Sequence, residues 1–242
     1  MIAMKKTALL TCALALCLPL AAQAKPVPAI AAAIADTARP EADKARDGAR
    51  KPAEMLAFAG IKPGAKVGEL LPGAGYFTRV IAKTVGDKGA VYVWMAASAP
   101  AAWVARLDPL LAAYPNVKLI RGEQIAPPEP VDVIWTTQNY HDLHHTGRDP
   151  AATNAAAFAA LKPGGIYLVS DHAAKAGSGT ADTDSLHRID PDLVKAEVVK
   201  AGFVFAGASK VLANSGDDHT KKVFDLHDAT DQFVLKFRKP LK

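Results

Sequence analysis

The chain has 242 residues, half of them hydrophobic and 22% charged, with a formal net charge of +5; that length suits one α/β domain with a real core. Its basic residues are interleaved with acids, as in Glu41-Ala42-Asp43-Lys44-Ala45-Arg46-Asp47, and no basic stripe with aromatics among it argues for a nucleic-acid partner. Both cysteines, Cys12 and Cys17, precede residue 24, so the rest of the chain has no disulfide, thiol nucleophile or cysteine-bound zinc.

The first residues read as a targeting segment. Lys5 and Lys6 form a positive start, Thr7 to Ala21 is apolar, and Ala22-Gln23-Ala24 offers small residues for a signal peptidase. The run is too short for a membrane span. Leu16 before Cys17 is too large for a lipoprotein cleavage site, so an export signal over 1–24 is favoured over an anchor or a lipoprotein. Cleavage leaves 218 residues with a net charge of +3. The expected location is the periplasm or beyond, with no membrane association after cleavage.

Residues 25–40 read as a leader in which the Ala-rich stretch from Ala29 to Asp36 is a short helix or loose chain. A helix is expected from Glu41 to Phe58, broken or kinked at Pro52 and stopped at Gly60. Its charges are most simply a solvated face. Strands are expected at 66–71, 90–95, 117–120, 131–136, 166–170, 203–211 and 232–238. Helices are expected at 76–85, at 100–114 with Trp103, Leu107, Leu110 and Leu111 on one face, at 150–161, and from Pro191 to Ala201 behind an Asp190 cap. Strands separated by single helices pair in parallel, with helices on both faces. The last two strands have only a polar loop between them and pair antiparallel at one edge. The expected fold is a doubly wound, Rossmann-like, seven-stranded and mostly parallel sheet, forming a single domain over 41–242.

Ligands of such sheets bind at the carboxyl ends of the strands. There, Val67-Gly68-Glu69-Leu70-Leu71-Pro72-Gly73-Ala74-Gly75 resembles the first motif of class I S-adenosylmethionine (SAM) dependent methyltransferases. Val131-Asp132-Val133-Ile134-Trp135 resembles their fourth strand. Leu161-Lys162-Pro163-Gly164-Gly165-Ile166-Tyr167-Leu168 resembles their turn into the fifth. The resemblance covers roughly 41–238 and, with the export signal, is to a group of predicted secreted bacterial methyltransferases. Segments similar to Asn139-Tyr140-His141-Asp142 and Asp217-Asp218-His219-Thr220 are features of that group. It implies that SAM is held by Glu69, Gly73, Gly75 and Asn139, with Tyr140, His141 and His172 near the chemistry. Two departures stand out. Leu71 replaces the usual first glycine, and the second strand, ending in Val93-Trp94-Met95-Ala96, lacks the acid that normally holds the ribose hydroxyls.

Of seven histidines, His141, His172, His187 and His219 fall in loops predicted above the strand ends, where they can form a shared polar pocket. Together they can supply a general base for an oxygen or nitrogen acceptor. With Asp171 or Asp142 they can instead hold a divalent metal. Taken singly, each is more simply a surface histidine, and His227 is read that way. Gly177-Ser178-Gly179-Thr180 is a flexible polar loop or a lid. Ser178 has no nucleophile-elbow context. Three readings follow. The first is an exported methyltransferase acting on a small molecule or an exposed residue. The second is a ligand-binding protein that keeps the fold without the chemistry. The third is a histidine-based metal enzyme of another class.

Overall fold

The structure is a computed structural model that describes residues 27–145 and 148–242. The export segment at 1–24 lies outside them. Seven strands form one sheet: β1 (Lys66–Leu70), β2 (Ala90–Ala96), β3 (Val117–Gly122), β4 (Val131–Thr137), β5 (Leu161–His172), β6 (Val204–Ser209) and β7 (Gln232–Arg238). Their spatial order is β3-β2-β1-β4-β5-β7-β6. The first five pair in parallel, and β7 runs antiparallel to both of its neighbours. The order reverses between β1 and β4, and a crevice opens there at the carboxyl ends of the strands.

Alternating side chains supply two cores. Val67, Val91, Val93, Val133 and Trp135 face one side, where the helices α1 (Pro28–Ile34), α2 (Glu41–Lys44), α3 (Asp47–Arg50), α4 (Pro52–Ala59) and α5 (Tyr76–Val85) gather. Tyr92, Trp94, Ile134, Tyr167 and Val169 face the other. A buried parallel sheet covered on both faces needs such near-continuous apolar strands. Gly68 reflects the tightness of the packing: a Cβ there would lie 2.6 Å from Ile134 Cδ1 and 2.9 Å from Ile125 Cδ1.

The Ala-rich stretch before residue 36 is a helix and not loose chain. Ile30 and Ala33 of α1 are fully buried. The stretch from 41 to 59 is three short helices, the last set off where Lys51 turns left-handed (φ 47°) ahead of Pro52. Gly60 stops α4 as expected (φ 77°). The helix expected at 100–114 is also divided, into α6 (Ala101–Val104), a 3-10 turn, and α7 (Asp108–Ala113) with Pro109 in its first turn. The break swings Trp103 out of the expected apolar face: Leu107 and Leu110 are buried, while Trp103 is half exposed.

The last helices are α8 (Pro150–Ala160), α9 (Thr183–Leu186), α10 (Pro191–Lys200) and α11 (Val223–Leu226). As expected, the Asp190 side chain caps α10, accepting from the Asp192 amide. The Lys162–Gly165 turn belongs to β5 itself, with a register shift against β4. A Cβ at Gly165 would lie 2.9 Å from the Lys162 carbonyl oxygen, so glycine alone fits. Among the described residues no helix is long and apolar enough to cross a membrane.

Candidate functional site

Two cavities open side by side above the reversal in strand order. One, of about 340 Å³, is a groove over the loop after β1 and includes Glu69, Gly73, Met95, Trp103 and Asn139 in its walls. The other, of about 670 Å³, includes His141, His172, His187, Phe224 and His227. Arg46, Arg50, Gln138 and Asp142 line both.

The groove takes its shape from β1. Leu71 turns left-handed (φ 50°) where the family motif carries glycine, and Gly73 follows at φ 59°. A Cβ at Gly73 would meet no atom within 4 Å. The chain therefore passes there with space for a ligand. Gly75 serves the packing instead. It caps α5 at φ 83°, and a Cβ would lie 2.9 Å from Leu110 Cδ1. Asn139 ties two loops together. Its amide donates to the Leu70 and Leu71 carbonyls at 3.2 and 3.1 Å, and its oxygen accepts from the Thr136 hydroxyl. Glu69 is buried and accepts from the Thr78 hydroxyl at 2.6 Å. Burial pushes its carboxyl up to about 7, against the opposing pull of the Thr78 hydrogen bond.

The outer wall corrects the expectation of a solvated charged face. Arg39 grips Asp47 at 2.6 and 2.8 Å, and Tyr76 donates to the same carboxylate at 2.6 Å. Arg79 pairs with Asp43 at 3.0 Å, and Arg46 with Asp228 at 2.8 and 2.5 Å. Arg50 lies over the Tyr76 ring, 4.8 Å from its centroid, and donates to Gln138 Oε1 at 2.5 Å. Burial, helped by neighbouring Arg46, brings its guanidinium down to about 10. Of these residues Arg46 and Arg50 stand between the cavities and line both.

The histidine cavity is anchored at the end of β5. Asp171 is fully buried and accepts from the backbone amides of His141 and His172 at 2.7 and 2.8 Å. It also meets His141 Nδ1 at 2.9 Å. Burial alone would raise its pKa, but the His141 ring, the charge of His172 and the His141 amide hold it below the usual carboxylate range. Burial opposes a charge on His141 as well, and Asp171 outweighs it, holding the ring above its ordinary value. His141 Nε2 faces His187 Nδ1 at 3.3 Å and Asp142 Oδ1 at 3.5 Å. His172 Nδ1 bonds the Thr230 hydroxyl at 2.8 Å, and burial pushes this imidazole down to about 4. It is therefore neutral at physiological pH.

His187 follows α9 in a left-handed conformation (φ 56°). Its neighbour Arg188 fixes it there. The fully buried Arg188 guanidinium pairs with Asp217 at 2.9 Å and donates to the Ala173 and Lys221 carbonyls. The stretch from Gly177 is tied down rather than free, since Asp190 accepts from the Gly177 amide at 2.8 Å.

Of the residues expected near a cofactor, Glu69, Gly73 and Asn139 line the groove, whereas Gly75 packs beneath it. Of those expected near the chemistry, His141 and His172 line the second cavity. Tyr140 lines neither. It opens the 3-10 turn after β4 with its ring fully buried, and its hydroxyl bonds Asn154 of α8 and Glu197 of α10. His187 joins the cluster as expected. His219 does not, because its ring is held by Asp231 at 2.9 Å. His227, read as an ordinary surface residue, lines the cavity, as do Arg46, Arg50, Phe224 and Asp228. No periodicity in sequence marks these residues, which come from separate segments.

No family model matches the sequence, and no curated protein sequence does. Solved structures match across most of the chain. A SAM-dependent methyltransferase from Aquifex aeolicus shares 18% identity at a TM-score of 0.58, covering 80% of this chain and 92% of its own. The [4+2]-cyclase SpnF shares 15% at 0.61, covering 80% and 82%. The glycopeptide N-methyltransferase MtfA, in complex with SAM, shares 16% at 0.55, covering 78% and 87%. The chain has the fold of the class I SAM-dependent methyltransferases.

Proposed function

We propose that the protein is an exported SAM-dependent methyltransferase acting on a small molecule or an exposed residue. The observation that carries this is the pair of adjoining cavities: a groove along the Gly73 loop at the strand-order reversal, and a histidine-walled chamber sharing four residues with it. The groove suits SAM in its open passage at Gly73, in the buried acceptor oxygens of Glu69 for an ammonium group, and in the apolar walls at Met95 and Trp103 for a flat ring. Where β2 lacks an acid for the ribose, Asp43 of α2 lines the same groove and supplies a carboxylate from another element.

When bound, SAM would supply a methyl group activated by its sulfonium sulfur for transfer to an oxygen or nitrogen of the acceptor. The chain's own residues do the rest. Arg50 and Gln138, between the cavities, align the acceptor with the groove, and alignment accounts for most of the rate gain in such transfers. Asp171 orients the His141 ring through Nδ1, so that its Nε2, on the cavity side beside His187, would take up the acceptor's proton.

Titration calorimetry with SAM tests the reading. Micromolar affinity, about 8 kcal/mol, is expected, and a folded protein that binds no SAM overturns it. That second outcome would favour a ligand-binding protein, for which the missing β2 acid is the specific motive. Export rests on the segment at 1–24. Cell fractionation and the intact mass of the mature protein check it, and a cytoplasmic protein still carrying Met1 to Ala24 would contradict it.

A further inference from the structure

We infer that His141, Asp142 and His187 hold a divalent transition-metal ion in the larger cavity. Their ligand atoms all lie within 4.8 Å of one another. The two shorter separations are 3.3 Å, from His141 Nε2 to His187 Nδ1, and 3.5 Å, from His141 Nε2 to Asp142 Oδ1. A tetrahedral ion with bonds of about 2.1 Å spaces its ligands about 3.4 Å apart. The Asp142 carboxylate is about one-third exposed, with room to turn and close the third edge.

Three further features point the same way. The far nitrogen of His141 is held by the buried Asp171 carboxylate, the outer arrangement that orients a metal-bound imidazole and fixes its tautomer. Arg188, buried beside His187, anchors the loop so that the ring is presented rather than left mobile. His145 stands close by as a fourth donor, its Nδ1 3.5 Å from Asp142 Oδ1.

Two imidazoles and one carboxylate suit a first-row divalent ion and leave positions open to the cavity. The chemical role of the ion rests on the methyltransferase reading; its binding does not. An acceptor hydroxyl on the ion would lose its proton to solvent at neutral pH, and the resulting oxygen anion would be placed beside the groove. His141 then serves as a ligand and not as the proton acceptor.

The test uses chelator-stripped, full-length mature protein without SAM. Zn²⁺ is titrated calorimetrically, and Co²⁺ is followed by its visible absorption. One equivalent should bind, with a Co²⁺ spectrum sensitive to substitution. His187→Ala and His141→Ala should each weaken binding at least ~100-fold, Asp171→Asn about 10- to 100-fold, and His219→Ala should leave it unchanged. His187 sits on a partly exposed loop, so its variant keeps the test valid if His141→Ala does not fold. A folded wild-type protein that takes up no ion overturns the inference, as does binding that survives His187→Ala. A parallel SAM titration separates the two proposals: metal uptake without SAM affinity leaves the ion site standing and removes the methyltransferase reading, and the reverse removes only the ion.

Discussion

Replacing Glu69 by glutamine isolates a cost that the fold carries at the cofactor end of the site. The carboxyl is buried, its one side-chain partner among the described residues is the Thr78 hydroxyl, and its pKa rises from 4.5 to about 7. Below pH 4.5 the group holds its proton in both the folded and unfolded chains and stability is unaffected. Between 4.5 and about 7 the unfolded chain ionises while the fold keeps the proton, so stability falls as pH rises; above about 7 the loss is complete. At about 1.4 kcal/mol per pH unit the loss is about 3 kcal/mol. Glutamine cannot ionise, and its carbonyl still accepts from Thr78. Urea unfolding of both proteins at about pH 4.5 and about pH 8 should show Glu69→Gln gaining about 3 kcal/mol on the wild type at the higher pH. All other ionisable groups are shared and cancel in the difference. Parallel pH profiles for the two proteins would refute the argument that burial holds this proton. Because a SAM ammonium group near Glu69 would favour its ionised form, the same variant should also lose the proton release that accompanies SAM binding near pH 7.

Other expectations are simpler. Gly73→Asp should weaken SAM binding at least ~100-fold by calorimetry while costing about 1 kcal/mol of stability, since its Cβ meets nothing in the fold; unchanged affinity would place the cofactor elsewhere. Arg188→Met leaves Asp217 buried without its cation and should destabilise the protein by about 3–5 kcal/mol in chemical denaturation; a loss under about 1 kcal/mol would mean that water reaches the pair. Gly68→Ala should cost about 1–3 kcal/mol through overpacking against Ile134 and Ile125, and a melting temperature equal to the wild type's would show those side chains to be free to move.

The sheet is readable in the sequence because its strands are short apolar runs punctuated by Gly and Pro, and each such run has one structural solution. Even the antiparallel β7 follows from the polar link before it, which holds only short turns of helix such as α11 and no crossover helix. Helical periodicity is less informative. The face drawn through Trp103, Leu107 and Leu110 presumes one continuous helix, and a 3-10 turn with Pro109 behind it rotates Trp103 away. Tyr140 departs from expectation for a related reason: a position next to a strand end does not fix a side chain's direction, and the 3-10 turn there sends Tyr140 into the core and His141 into the cavity. The charged segment at 41–54 carries no local sign that it faces inward. Its partners Gln138 and Asp228 are distant in sequence, so only the tertiary fold reveals Arg46 and Arg50 as part of the site.

The placement of β7 bears on how the molecule is made. The last strand in sequence lies between β5 and β6 rather than outside them. A chain emerging from a ribosome or a translocation channel amino end first therefore offers β5 with an unsatisfied edge until β7 appears. That edge ends in Asp171 and His172, so the site is completed only once β7 has paired. Until then its backbone is a template for any passing strand. Loss of the carboxyl-terminal residues would not trim a margin of the sheet but would leave two open edges inside it.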